Sequence, residues 1–530
     1  MRSCLKLLGF TFLILFGFVA LVAAETLVVT TDQDTVDLPF DASSPCGTGT
    51  ANDLPGADGK ISLREAIIAA NNNANVSKLK IIKFAANLRG GTIALTKALY
   101  LCGGRTTVNG DINGDGNPDI TIDGTALPIE SHVIDIVSSR NTLKNLRVQA
   151  FRAHDGSHDV IAIAVSPMPG VALFVKDNTV AHNIITGGAI LVGAGMDPST
   201  LRNIQNATTN NRTTLAKNTI SGSPTEGIIF GSVGDHHTIT GLTIARNTIS
   251  ANTFAGILGV GGVANRFDLA DDGASDNDLD VTITKNIIAN NSNPGATAGI
   301  SIVGGFFSSS RNRVSVRILD NEVLNNDGHG ILVESSQENG SDNDVVATIR
   351  GNTVENNNGM GILAFGAIGA AALPSGESSR NSLDVSIKRN TVSSTLPFLY
   401  GIWVAGGIAS FDGALTKIAN ANEVNAAVSH NTVTGTLFGE GIHLEAGGSG
   451  VANDNGVEAL VEKNTVCGSA GVDIHALGGL LGSPFFPNNT GSGNTLEGGI
   501  AKNTATTIAA ENGVAGNAAI MEQAKNAPCP

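Results

Sequence analysis

The stretch Asn381-Ser-Leu-Asp-Val-Ser-Ile-Lys-Arg-Asn390-Thr-Val392 decides the fold. Leu383, Val385 and Ile387 alternate with Ser382, Asp384, Ser386 and Lys388, the period-two pattern of a half-buried strand. An Asn stands at each end, nine residues apart. Asn accepts the left-handed backbone of a sharp corner and bonds neighbouring backbone groups. The same phrase recurs. Anchors of this kind fall at Asn178, Asn218, Asn247, Asn286, Asn321, Asn352, Asn390, Asn431, Asn464 and Asn503. Their spacing varies from 29 to 41 residues. A second Asn precedes seven of them by nine residues, at Asn277, Asn312, Asn343, Asn381, Asn422, Asn455 and Asn494. About ten residues after most anchors comes a Gly-Ile phrase: Gly227-Ile228, Gly256-Ile257, Gly299-Ile300, Gly330-Ile331, Gly361-Ile362, Gly401-Ile402 and Gly441-Ile442, with Gly471-Val472 as the variant form.

Each repeat therefore reads strand, Asn corner, short strand, Gly corner, strand, then a loop that absorbs the length variation. A fixed coil with variable loops in register is a solenoid. The density of Gly and Asn and the period of two argue against helical repeats. Leucine-rich phrasing is absent, and a propeller blade would need four strands. The expected fold is all-β: a right-handed parallel β-helix of about ten or more rungs over residues 131–505. Composition agrees, with 65 Gly among 530 residues and 4% aromatics, which suits thin stacked β-structure better than a core of large rings.

Residues 1–24 read as a secretory signal. Arg2 and Lys6 lead an apolar run from Leu7 to Val22, and Val22-Ala23-Ala24 precedes Glu25 as a small-residue cleavage site. A retained membrane anchor is the alternative; no membrane span is expected after signal removal. Net charge is −15, and −17 without Arg2 and Lys6. With no basic run, nucleic acid is excluded as a partner. Four cysteines remain, Cys46, Cys102, Cys467 and Cys529, which allow three pairings; the simplest is Cys46–Cys102 and Cys467–Cys529, one staple per end.

Residues 25–130 hold the N-terminal cap and first rungs. Ser62 with Glu65 is a capping-box signature opening an apolar helix that ends near Asn71-Asn72-Asn73, placed to cover the first open rung. Residues 506–530 turn Ala-rich and read as a short helical C-terminal cap. The loop Asp111-Ile-Asn113-Gly-Asp115-Gly116-Asn117-Pro-Asp119 carries oxygen ligands at the alternate spacing of a calcium loop, although Ile122 stands where a bidentate Glu belongs. Calcium is the one cofactor expected, set against an ordinary Asp/Gly turn.

The repeat phrase resembles that of the right-handed parallel β-helices of the pectate-lyase-like superfamily, over residues 130–505. Ile61-Ser62-Leu63-Arg64-Glu65-Ala66 resembles the CSLREA motif of an N-terminal module found on exported bacterial β-helix proteins, with Ile61 in place of the Cys. The resemblance implies an exported protein and no chemistry for Arg64 or Glu65. Asp327-Gly328-His329-Gly330-Ile331 is similar to the Gly-His-Gly element of polygalacturonases. Against that, Asp271-Asp272 lies two repeats from the His, and Ser386 replaces an Arg before Ile387-Lys388.

Candidate chemistry comes from aligning the Gly-Ile strands. With Ile402 and Val404 inward, Trp403 points out. The next strand puts His443 and Glu445 outward around Leu444, and the next puts Asp473 and His475 outward around Ile474. In that register His443 stacks beside Asp473, and Glu445 beside His475. Two carboxylates and two imidazoles supply acid, base or metal ligands, and an exposed Trp403 indole stacks on a sugar. The competing reading is a solvated face carrying cross-strand charge pairs. Weaker candidates are His154-Asp155, His158-Asp159, the Asp235-His236-His237 run, and Arg317, Arg350 and Lys388 as lyase-type bases. A secreted or cell-surface β-helix, a monomer, binding extracellular polysaccharide or mediating surface contact, is the expectation. The alternative is a polysaccharide lyase, glycoside hydrolase or uronan epimerase working along the groove; whether the protein is an enzyme stays open at this level.

Overall fold

The computed structural model describes residues 24–38, 44–128, 131–151, 160–195, 207–263, 274–292, 298–306, 308–337, 339–368, 377–393, 400–408, 418–436, 439–447, 451–478, 492–511 and 516–523. The signal-like residues 1–23 and Cys529 lie outside this set. So do His154-Asp155, His158-Asp159 and Asp271-Asp272.

Alternation along the phrase becomes a strand with one face inward. Leu383, Val385 and Ile387 are buried, and the strand Ser382–Lys388 pairs in register and parallel with Asp344–Arg350 on one side and Glu423–Ser429 on the other. Each turn adds a three-residue strand after the Asn corner, such as Thr391–Ser393, and a third after the Gly corner, such as Tyr400–Ala405. Stacking these three strands turn upon turn generates three long parallel sheets, of 17, 13 and 13 strands among the described residues. The chain is a parallel β-helix, with a single hydrophobic core running from Leu27 to Ala505 between the sheets.

Buried carboxamides hold the corners. Asn183, Asn218, Asn247, Asn286, Asn321, Asn352, Asn390, Asn431, Asn464 and Asn503 form one ladder, each bonded to the next. At Asn352 the Oδ1 accepts the Asn321 backbone N–H at 2.9 Å and its Nδ2 at 3.0 Å. The Asn352 Nδ2 donates to the Ile318 carbonyl at 2.9 Å and to Asn390 Oδ1 at 3.0 Å. Every polar atom at the corner is thereby paired, as burial requires. The seven Asn that precede the anchors form a second ladder, which His237 starts by donating its backbone N–H to Asn277 Oδ1. A shorter third ladder joins Asn252, Asn291, Asn326 and Asn357.

Two details differ from the reading of the sequence. The first ladder passes through Asn183, not Asn178, which instead accepts the Asn141 N–H. The left-handed residue is also the one before each Asn: Lys285 (φ 56°), Asp320 (φ 54°) and Arg389 (φ 57°). The Asn carboxamide is committed to the interior, so the exposed neighbour takes the strained backbone. At the opposite corner glycine is required: a Cβ on Gly361 would sit 2.4 Å from the Gly401 carbonyl oxygen and 2.4 Å from Val392 Cγ1.

The helix Leu63–Asn71 closes the N-terminal end, with Ser62 and Glu65 forming the capping box. Its Leu63, Ala66 and Ile67 join the core beside Ile82 and Leu99. Arg64 is structural: it grips Asp34 at 2.8 Å and donates to the Lys97 and Ala98 carbonyls. Cys46 and Cys102 are bridged, tying the segment before the helix to the first turns. Cys467 is also disulfide-bonded. The C-terminal segment is not helical where described. Gly516–Gln523 is a strand paired with Asn494–Ala501, so the Ala-rich tail adds another turn: the open edge of the last long strand dictates its conformation over intrinsic helix preference.

Asn352→Ala removes one link of the first ladder and leaves the Asn321 N–H and the Ile318 carbonyl short of partners. At about 1–3 kcal/mol per unsatisfied buried group, a loss of roughly 3 kcal/mol is expected, read as a lower urea midpoint, whereas the outward Ser386→Ala should leave the midpoint nearly unchanged.

Candidate functional site

Parallel stacking places equivalent residues of the Gly-Ile strands in columns, with successive members about 4.8 Å apart. Leu332, Leu363, Trp403, His443 and His475 form one column. Glu334, Phe365, Ala405, Glu445 and Leu477 form the next. These residues alternate with the core residues Ile442 and Leu444, as expected of outward positions. Yet they are not solvated: Leu363 is 0% exposed, Trp403 5%, His443 2% and Glu445 0%. A second apolar cluster of Leu332, Met360, Leu363, Phe365, Trp403 and Ile408 stands outside the solenoid core.

The register also differs from that expected. Ile474, not Val472, stacks on Ile442, so His475 stacks on His443 and Leu477 on Glu445. Asp473 occupies the glycine corner, where its Oδ2 accepts the Thr506 N–H at 2.6 Å and the Thr507 N–H at 3.2 Å. It therefore does not face His443. Trp403 packs edge-on against Phe365, 4.9 Å between centroids, and beside Tyr400 at 4.8 Å. It is a buried ring and not an exposed sugar platform.

The group that the structure assembles is Glu440, His443, Glu445 and His475. Glu440 takes the place in its strand that Tyr400 holds one turn earlier. Across the Gly441 corner its Oε2 accepts a hydrogen bond from His443 Nδ1, and its Oε1 accepts one from His475 Nδ1 at 2.7 Å. The other nitrogen of His443 lies 3.4 Å from Glu445 Oε2. The Tyr400 ring stacks on His443 at 4.5 Å, the two planes nearly parallel. Glu440 precedes the glycine corner, outside the positions that alternation after each glycine singles out. The residue immediately before Gly401 and Gly441 was the available signal.

Burial opposes charge at this group, and the hydrogen bonds overcome it. Glu440 is held down to about 2 by bonds from His443 and His475 and by their positive charge. His443 is pushed up to about 9, against its burial, by its bond to Glu440 and by the negative charge of Glu440 and Glu445 beside it. Burial, with Glu440 and Glu445 nearby, raises the Tyr400 phenol. The Glu440 carboxylate, His443 and His475 each offer one ligand atom, and these atoms lie within 4.8 Å of one another, the only such group of three or more His, Cys, Asp or Glu among the described residues.

The remaining candidates are dispersed. His237 is buried, its Nδ1 meeting Thr208 Oγ1 at 3.0 Å, and burial lowers it to about 4. Asp235 accepts the Ser275 N–H at 2.6 Å. His329 accepts the Met360 N–H at 3.0 Å. Arg317 lies on the outer side of the long-strand sheet, 3.2 Å from Asp280, in a different column from Arg350 and Lys388. In the Asp111 loop, Asp111 accepts the Gly114 and Gly116 N–H groups, Asp115 accepts from the Asn113 side chain and the Asn117 N–H, and Asp119 accepts from Ile112 and Arg89. Those bonds build an Asx-type turn from the residues expected to bind calcium.

A different surface is open. Beside the third Asn ladder, Asn290, Ser292, Asn325, Asp327, Asn356 and Asn358 are exposed and line a groove of about 360 Å³ across three turns. Asn358 Nδ2 donates to Asp327 Oδ1 at 2.7 Å across neighbouring turns.

Residues 202–371 match the family described as "Right handed beta helix region", which sets the hand of the solenoid. No curated protein matches. Among solved structures, the Dettilon tailspike protein is 14% identical, covering 93% of this chain and 68% of that one, with TM-score 0.40. The Azotobacter vinelandii mannuronan C-5 epimerase AlgE6 A-module is 12% identical, covering 88% and 95%, with TM-score 0.38. A mutant of the periplasmic alginate epimerase AlgG is 11% identical, covering 82% and 79%, with TM-score 0.32. Likenesses this distant carry no argument about activity. Among the described residues no helix is long and apolar enough to cross a membrane.

The sign of the pH dependence follows from the two shifted groups. The raised His443 contributes stability below its ordinary 6.5, lost as pH rises through about 9. The depressed Glu440 contributes above its ordinary 4.5, lost as pH falls through about 2. At 1.36 kcal/mol per pH unit, the His443 shift is worth on the order of 3 kcal/mol. With chelator present, the melting-temperature gap between wild type and Glu440→Gln should be widest between pH 4.5 and 6.5 and should close toward pH 9. A gap that widens toward pH 9 would contradict this assignment.

Proposed function

We propose that the protein is an exported, non-catalytic β-helix that binds a neutral extracellular polysaccharide along the Asn-lined groove. The observation that carries the reading is that groove: exposed amides, a hydroxyl and a carboxylate repeat turn after turn at Asn290/Ser292, Asn325/Asp327 and Asn356/Asn358. Amides donate and accept, so they match sugar hydroxyls without demanding charge. A turn spacing of about 4.8 Å is comparable to one pyranose unit, which lets an extended glycan meet the same donors at each turn. The net charge of −15 disfavours a polyanionic chain that lacks bridging cations.

The lyase, hydrolase or epimerase reading needs an acid and a base that a polymer reaches. Its best candidates, His443 and Glu445, are buried beside Trp403. Export rests on the signal-like residues 1–24 and on a Cys46–Cys102 bridge that suits an oxidising compartment.

Affinity electrophoresis of the mature chain, residues 25–530, through neutral and acidic glycans tests this. Retardation by a neutral glycan is expected, and Asn325→Ala and Asn356→Ala should each weaken it several-fold, the value of about 1 kcal/mol per lost hydrogen bond. New reducing ends or unsaturated products in the same incubations would replace this reading with the enzymatic one. Retardation unchanged by both substitutions would move the binding surface elsewhere.

A further inference from the structure

We propose that Glu440, His443 and His475 form a site for a divalent first-row transition metal, Zn²⁺ by its donor set, with Glu445 holding the outer nitrogen of His443. This goes beyond the glycan groove and does not depend on it.

Three observations converge. The first is the donor set. Two imidazole nitrogens and one carboxylate oxygen lie within 4.8 Å of one another, brought from adjacent turns by the stacking of His475 on His443. Imidazole with carboxylate suits zinc, whereas calcium takes oxygen ligands alone. Both Nδ1 atoms already aim at Glu440, one at 2.7 Å. Ligand atoms about 2.0–2.2 Å from a tetrahedral ion lie somewhat farther apart, so a small outward shift of these side chains makes room. The metal would replace the hydrogens now held between the imidazoles and the carboxylate.

The second observation is the outer support. Metal-bound His commonly donates its remaining N–H to a carboxylate, which fixes the ring and raises its basicity. Glu445 Oε2 stands 3.4 Å from His443 Nε2, and its side chain is 0% exposed. Neither oxygen of Glu445 has a hydrogen-bond partner among the described residues, and a buried carboxylate left so is costly unless it serves a positive centre. Tyr400 stacked on the His443 ring fixes the same orientation from the other side.

The third is access. The side chains of Glu440 and His475 remain 18% and 14% exposed, whereas His443 is 2% exposed. The rim is therefore open to an entering ion and the base is closed. Three protein ligands with one open position match sites that keep a water or a substrate group on the metal. Among the described residues His475 Nε2 is buried and has no hydrogen-bond partner, so its Nδ1 side makes its polar contact.

The test uses the tag-free chain, stripped with chelator and titrated with Zn²⁺ by calorimetry and with Co²⁺ by visible absorption. One equivalent of Zn²⁺ is expected, with the intense absorption of four-coordinate cobalt. His475→Ala and Glu440→Gln should abolish the site. Glu445→Gln should keep the stoichiometry but weaken affinity by about 10–100-fold, the usual effect of losing outer support. Circular dichroism establishes that each variant is folded; should His475→Ala not fold, the cobalt spectrum of the wild type decides. No uptake by the folded wild type, or uptake that survives both His475→Ala and Glu440→Gln, overturns the proposal and leaves the group a structural clamp.

Discussion

The structure rests on one repeated interaction: a buried Asn carboxamide that accepts from the turn before and donates to the turn after. A solenoid must bend its chain three times per turn, and each bend removes backbone groups from sheet pairing. Asn218, Asn286 and Asn352 restore that pairing in the interior, where water cannot. The geometry of the amide then imposes register. A turn displaced by one residue would lose both ladder bonds and turn its apolar face outward. Most of the length variation consequently falls between the Gly-corner strand and the next long strand, with smaller additions before Gly299 and Gly401.

Strict register has a second effect, because it converts sequence into columns. Residues 30 to 40 apart become neighbours, so a few substitutions in one column create a local environment. Along the Gly-Ile column, Leu332 and Leu363 give way to an aromatic ring at Trp403 and then to imidazoles at His443 and His475, before Ala509. The transition places charged groups against an apolar cluster. Ionisation there is costly in isolation and is sustained only by mutual pairing, which is why Glu440 and His443 shift in opposite directions. The Asn-lined groove, at the corners that follow the short strands, and this largely buried imidazole group on the Gly-corner strands thus follow different physics on one scaffold.

Much of this architecture is legible in the chain alone. Leu383, Val385 and Ile387 announce an inward strand face, Asn381 and Asn390 its corners, and Ser62 with Glu65 the cap. The outward placement of His443, Glu445 and Trp403 is also legible, since alternation around Ile442 and Leu444 requires it. Asn178 misled because Asn183, five residues on, fits the same local phrase; only the bond to Asn218 distinguishes them. Gly471-Val472 misled for a similar reason, as Asp473 can take a glycine corner once Thr506 and Thr507 receive its carboxylate.

The sequence by itself determined the repeat, the inward faces and the corner residues, because these follow from periodicity and from the conformational range of Asn and Gly within one turn. Tertiary structure alone decided which turn meets which, and whether an outward side chain meets water or protein. Both are properties of segments distant along the chain. Glu440 joins His443 and His475 only because the last turns stack with Ile442 on Ile474, and Trp403 is buried only because Tyr400 and Phe365 close around it.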